Sequence, residues 1–314
     1  MEEKERVVEK HPDEKPLADL SEMSAPASPG IPGTVVPAQE EAPVEPQGCG
    51  CGNSGGAGDD PSFIYAIGTI EARFPSMGVE KEFVQAVKEG KTANLTDRQV
   101  LYEIMSQENN RYLAREVCFV FTVESMDTYI LVPKTGAELN LLIEAIKSTK
   151  AGDRDVIIGT RGPIAPPDMC NGLQVPLVMC DRIYSFDIEG FINAIPQPKG
   201  MEKGAFKNAA EELFYKIMQL ADNVGELDEH RTVNYIALRY SAIYALALEM
   251  FAADKSLSGV EVLPSRLSST RRIVQVIFSY VNRSTDVTEK YFTRVDVTEK
   301  WPFLVSKLQP FYER

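Results

Sequence analysis

An α+β fold is predicted: one mixed domain with an antiparallel-rich sheet and two long helices, preceded by a disordered tail. Three observations predict it. The composition changes sharply where the chain reaches Phe63. Beyond that point, segments of strand and helix period follow one another without a strict βαβ alternation. The last part of the chain reads as consecutive strands.

The tail comprises residues 1–60 and the domain residues 61–314. The tail is rich in Pro, Glu, Ala, Ser and Gly and contains no aromatic residue. Such a segment buries too little apolar surface to offset its ordering entropy. Of the chain's net charge of −13, the tail holds −9, from 13 acidic and 4 basic side chains. It ends in the glycine-rich patch GCGCGNSGGAG, where flexibility is expected.

FIYAIGTI, β-branched and aromatic, opens the domain as a strand. Val79, Phe83 and Val87 recur at helical spacing. Thr96-Asp97-Arg98-Gln99 and Thr135-Gly136-Ala137-Glu138 are capping boxes, each followed by an apolar helical stripe. Between them, Cys118–Thr122 and Tyr129–Val132 are expected to pair around a polar turn. Val156–Gly159 is a short strand running into GTRGPIAPPDMCNG, whose three prolines and glycines argue against a regular element from Gly159 to Gly172. Val175–Phe186 returns to strand, and Asp187–Ile195 is a short helix.

The first long helix runs from about Phe206 to Ala221. The second starts near Asp228, a candidate N-cap, and carries one stripe from Val233 through Tyr240 to Phe251. Val260–Leu263, Ile273–Tyr280 and Tyr291–Val297 are strands, and a short helix is expected after Pro302. Asp-Val-Thr-Glu-Lys occurs at Asp286 and again at Asp296, which reads as two strand ends near turns.

Charge and composition narrow the partners. An acidic chain lacks the Lys and Arg that displace counterions from a phosphate backbone, so nucleic acid is disfavoured, as is an anionic membrane. No apolar run reaches the roughly 18 residues that span a bilayer. The N-terminus has no basic region followed by an apolar one, so no secretory signal is read there. Five cysteines, an odd number, do not suggest a disulfide framework, and a reducing cytoplasm is the expected location.

Histidine is almost absent: His11 lies in the tail and His230 in the domain. A hydrolytic triad or a zinc hydrolase needs more imidazole than that. His230 is read either as an ordinary residue in the first turn of a helix or as a ligand or base. Cys170 is either an activated loop thiol or a small hydrophobe filling a gap. Cys118 and Cys180 fall in strand-like runs and are expected in the core.

The irregular loop is the best binding candidate, because long loops on a rigid scaffold often carry function. Arg161 can hold a carboxylate bidentately or pair with an internal acid. Asp168 and Asn171 can hydrogen-bond a peptide backbone. Arg266 is an anchor or a structural ion pair. Cys49 and Cys51 form a C-x-C pair that is a soft-metal chelator, a target for modification or an inert linker. No nucleotide-binding glycine motif is present, and no cofactor is expected.

Blocks of the domain carry a resemblance. They include IGTIEARFPSMGVEKEF, LTDRQVLYEIMSQENNRYLAREVCFVFTVE, VIIGTRGPIAPPDMCNGLQVPLV, DEHRTVNYIALRY, EVLPSRLSSTRRIV and the final VIFSYVNRSTDVTEKYFTRVDVTEKWPFLVSKLQPFYER. In order, they resemble the C-terminal domain of the cyanobactin maturation proteases, the PatG type above all, over about 250 of the 314 residues. That resemblance implies a place in the biosynthesis of ribosomally made, post-translationally modified peptides. The chain shows no subtilisin-like segment, so protease activity is not carried over.

The expected role is therefore a non-catalytic binding or scaffold domain. Its partner would be a precursor peptide or an enzyme of the same pathway, met at the Arg161–Gly172 loop and neighbouring strand edges. A homo-oligomer is compatible with this. Two alternatives are a cysteine-dependent enzyme using Cys170, with or without His230, and a precursor-like protein modified at Cys49 or Cys51.

Overall fold

The computed structural model describes residues 62–89, 94–147, 152–196, 203–219, 222–265 and 270–312. The tail, and with it Cys49 and Cys51, lies outside the described residues, as does Arg266. The fold is α+β, with two sheets and eight α-helices among the described residues.

The first sheet is a closed five-stranded barrel. β1 (Phe63–Arg73) pairs antiparallel with both β2 (Cys118–Val123) and β4 (Asp153–Ile164). β2 turns into β3 (Met126–Val132) through Glu124 and Ser125, both left-handed, at φ 49° and 67°. Two such residues in succession suit a tight hairpin. β3 then runs parallel to β5 (Pro176–Asp187), which pairs with β4 to complete the order β1-β2-β3-β5-β4. A parallel pair needs a crossover, and α4 (Gly136–Ile146) provides it between β3 and β4. This strand order and crossover are those of an OB-type barrel.

The CFVFTV run of β2 is buried along its whole length, as a continuous apolar strand should be. Phe119 and Phe121 point into the barrel, with Ile64, Leu131 and Val178. Cys118 and Val120 point outward, against Ala165 and Cys170. The chain from β1 to β2 is a helical insertion comprising α1 (Met77–Glu89), α2 (Asp97–Ser106) and α3 (Arg111–Glu116). Both predicted capping boxes form, at Thr96 and at Thr135. Ile104, Met105, Leu113, Leu142 and Ile143 join the barrel interior in one apolar cluster.

The second sheet is antiparallel, in the order β6 (Lys255–Pro264), β7 (Ile273–Asn282), β8 (Thr288–Asp296) and β9 (Phe303–Phe311). The short helix expected after Pro302 is therefore a strand. FLVSKLQPF alternates exposed and half-buried residues, and Pro310 is tolerated because β9 is an edge strand. The two Asp-Val-Thr-Glu-Lys copies do mark strand ends: one enters β8 and the other leaves it.

Helices α5 (Ile188–Ala194), α6 (Lys203–Met218), α7 (Asp228–Arg239) and α8 (Ala242–Ala252) cover one face of this sheet. The second long helix thus divides into α7 and α8. At the division Tyr240 leaves helical geometry, and the Tyr244 hydroxyl donates to the Ala237 carbonyl at 2.7 Å. The Tyr240 hydroxyl meanwhile accepts the Leu308 N–H of β9 at 2.8 Å. Asp228 is the first helical residue, not the N-cap, which is Leu227. On its other side α7 meets the outer face of the barrel, where Tyr235 and Leu238 pack on Tyr65, Ile67, Val156 and Ile158.

Candidate functional site

The irregular loop is shorter than its proline content suggests. β4 continues to Ile164, and its register shift between Arg161 and Ile164 takes up Gly162 and Pro163. A bulge is where a strand tolerates a residue with no N–H. The loop proper, Ala165–Val175, folds back on the outer face of β2 and β3. Ala165, Met169, Cys170, Leu173 and Val175 meet Cys118, Val120 and Ile130 there.

Cys170 is disulfide-bonded to Cys118, with the two Cα atoms 5.8 Å apart. This corrects the expectation of unpaired cysteines: with its sulfur shared, Cys170 has no thiol to act as a nucleophile. Spacing did not reveal the pair because the partners are 52 residues apart and meet only when the loop crosses β2. Cys180 is in the core as expected, and burial pushes its thiol up to about 12.

Beside the disulfide is a cleft of about 780 Å³. Pro166, Asp168, Met169 and Cys170 form one wall, and the end of β3 with Lys134 and Thr135 at the start of α4 forms another. The third comes from α3 and the start of β2, through Ala114, Arg115, Glu116 and Phe119. The lining is largely apolar, with a few charged groups. This is the usual character of a small-ligand or side-chain pocket. Lys134 is held by Asp181 at 2.7 Å, and Lys300 reaches the same carboxylate at 2.8 Å.

The predicted site residues fall into two groups. Asp168 and Cys170 line the cleft, and Asn171 adjoins them in a left-handed conformation at φ 56°. Arg161 points elsewhere, pairing with Glu226 at 3.0 Å, so its internal-acid reading is the one observed. His230 is half-buried near Glu226 and is absent from the cleft lining, so it does not serve Cys170 as a base. Sequence reasoning missed Lys134, Arg115 and Met169 as site residues and read Thr135 only as a helix cap, since the four become neighbours only through barrel closure. Among the described residues, no three His, Cys, Asp or Glu side chains gather to hold a metal. No helix among them is long and apolar enough to cross a membrane.

Burial holds the His230 imidazole below its ordinary value, against the pull of Glu229, Asp222 and Glu226. Its Nδ1 is buried without a hydrogen-bond partner among the described residues. A depressed folded-state value means that stability is complete above the unfolded value of about 6.5 and is lost as pH falls through the folded one. Urea midpoints measured from pH 8 down to pH 5 should therefore decline below about pH 6.5. His230→Gln should flatten that decline. An unchanged decline in the variant would assign it to other groups.

An OB-type barrel and a helix-covered antiparallel sheet, with a loop-walled cleft on the barrel, define an α+β domain. The model of the PatG domain family matches residues 63–262, more than half of the chain, and the chain belongs to that family. A solved structure described as "PatG Domain of Unknown Function" is similar at 15% sequence identity, over 80% of this chain and 98% of that one, with a TM-score of 0.65. At that identity the likeness speaks for the fold. No curated protein matches the chain.

Proposed function

We propose that this domain acts by binding rather than catalysis, in a cyanobactin-type pathway that modifies ribosomally made peptides. Its ligand is an extended peptide whose apolar side chains enter the cleft between the loop Ala165–Val175, the end of β3 and the start of α4. The cleft itself is the observation that carries this reading. Supporting it, OB-type barrels commonly take extended ligands on the β2–β3 side, between the loops joining β1 to β2 and β4 to β5. Here those two connections supply two of the three walls. Strand addition is not the mode at this place, because every barrel strand already has two neighbours.

While the bridge is intact Cys170 has no free thiol, and His230 is not among the cleft-lining residues to serve as its base; both support binding over a cysteine-based reaction. The test is calorimetric titration with synthetic precursor peptides containing an apolar run. Val132 lines the cleft at the end of β3 and is only half-buried. Val132→Glu puts a carboxylate among apolar groups and is expected to weaken peptide binding at least ~10-fold, with circular dichroism unchanged. Equal affinity in the variant, or no peptide bound by the parent, would refute the proposal.

A further inference from the structure

We propose that the Cys118–Cys170 disulfide is a redox-operated latch, and that the segment it holds, Ala165–Val175, is a strap that opens on reduction. This rests on the cleft being the binding site, since the strap is one of its walls.

Four observations support the latch. First, the strap's backbone hydrogen bonds close within itself: Ala165 to Val175 at 2.9 Å, Met169 to Pro166 and Gly172 to Met169 at 3.0 Å, and Leu173 to Cys170 at 3.3 Å. Among the described residues it makes no backbone bond to the strands beneath. Second, its apolar contact is a satellite cluster of five buried residues, separate from the barrel core, and two of the five are the cysteines. Third, Cys170 and Asn171 are consecutive left-handed residues at φ 49° and 56°. That conformation is unfavourable for cysteine and relaxes once the strap is free. Fourth, both cysteines line the cleft although each is buried, so the cleft is the side from which a small reductant approaches the bridge.

The bond between Ala165 and Val175 closes the neck of the segment, which is the construction of a compact surface loop able to move as a unit. The chemistry is thiol–disulfide exchange with a small dithiol. One thiolate of the dithiol attacks a sulfur of the bridge, the S–S bond breaks, and a mixed disulfide forms. The second thiol then resolves it. The protein gains two electrons and two protons as Cys118 and Cys170 thiols, and the dithiol leaves as a cyclic disulfide. Freed, the strap lifts Met169 and Pro166 from the cleft and uncovers Val120 and Ile130, while the barrel core is untouched.

Hydrogen exchange of the full chain, oxidised and then reduced with dithiothreitol, tests the latch without any ligand. Amides of the strap should exchange at least tenfold faster after reduction, with β1–β5 unchanged, and Cys170→Ser and Cys118→Ala should each reproduce the reduced pattern. Equal protection of the strap in both states overturns the latch. So does loss of protection throughout the barrel, which would make the bridge a purely structural staple. Titrating the same two states with the peptide used above should show affinity at least tenfold weaker after reduction. Equal binding in both states overturns regulation but leaves peptide binding standing. If neither state binds while the strap is released, peptide binding fails and the latch survives.

Discussion

Replacing Arg231 by alanine is expected to lower the stability of the domain by about 3–5 kcal/mol. Arg231 is 1% exposed, the largest fully buried side chain among the described residues. It lies in the first turns of α7 and reaches across to the turn between β8 and β9. There it donates to the Val297 carbonyl at 2.8 Å and to the Glu299 carbonyl. It is also 3.3 Å from Asp228, and the ring of Phe63 lies 5.4 Å from its guanidinium carbon. One cation thus ties α7 to β1 of the barrel and to the second sheet. Burial pulls its guanidinium down to about 10, which still leaves it charged at neutral pH.

Truncation leaves two carbonyls without their donor, leaves Asp228 paired with Arg272 at 3.5 Å, and opens a cavity. Arg231→Met refills the volume but returns no hydrogen bond. It should recover only part of the loss in urea or thermal unfolding. Full recovery by methionine would show that packing, not the clamp on the turn, is what matters.

This clamp also shows where the sequence stops being informative. DEHR was readable as the first turn of a helix, and the strand ends at both Asp-Val-Thr-Glu-Lys copies were readable from local pattern. That Arg231 of the first meets the residues just beyond Asp296 in the second was not. Local chemistry announced both capping boxes, the β2–β3 hairpin and the core positions of Cys118 and Cys180, because each depends on neighbours within a few residues. The split of α7 from α8 left no local mark: no proline or glycine interrupts the stripe, and the break is held by the Tyr240 and Tyr244 hydroxyls, whose partners come from β9 and from the preceding helix. Barrel closure was equally hidden, since the single parallel pairing of β3 with β5 joins segments more than 40 residues apart.

The same limit applies to the site. The loop around Cys170 drew attention for its prolines and glycines, and it does form a wall of the cleft. Its other walls come from α3 and from the β3–α4 junction, where Lys134 and Thr135 read only as the start of a helix. Arg161 stood out because an arginine in an irregular loop suggests an anion site. In the fold it belongs to β4 and is already paired with Glu226.

Gly225→Ala should destabilise the fold by about 3–5 kcal/mol, although it adds a single methyl group. Gly225 is buried and has φ +79°, a backbone conformation that costs an L-residue about 1–3 kcal/mol. Its new Cβ would also lie 2.5 Å from the Tyr65 carbonyl oxygen and 2.6 Å from Ala66. The obstructing atoms are mostly the backbone of β1, which pairs with β4 at Tyr65 and Ala66, so they cannot swing away as a side-chain tip would. Nor can the 222–226 segment retreat easily. The Tyr65 N–H donates to the Gly225 carbonyl at 2.9 Å, and the Tyr129 hydroxyl donates to the Val224 carbonyl at 3.0 Å. Asn223 and Asn234 are joined side chain to side chain at 2.8 Å, while Asn234 also donates to the Tyr65 carbonyl at 2.8 Å. At roughly 2–4 °C per kcal/mol for a domain of this size, the thermal midpoint should fall by about 10 °C. The substitution lies on the α7 side of the barrel, so the variant, while folded, should still bind peptide and close its strap like the parent. A midpoint within about 2 °C of the parent would mean that β1 yields at Tyr65 far more readily than a strand paired with β4 and bonded to Gly225 should.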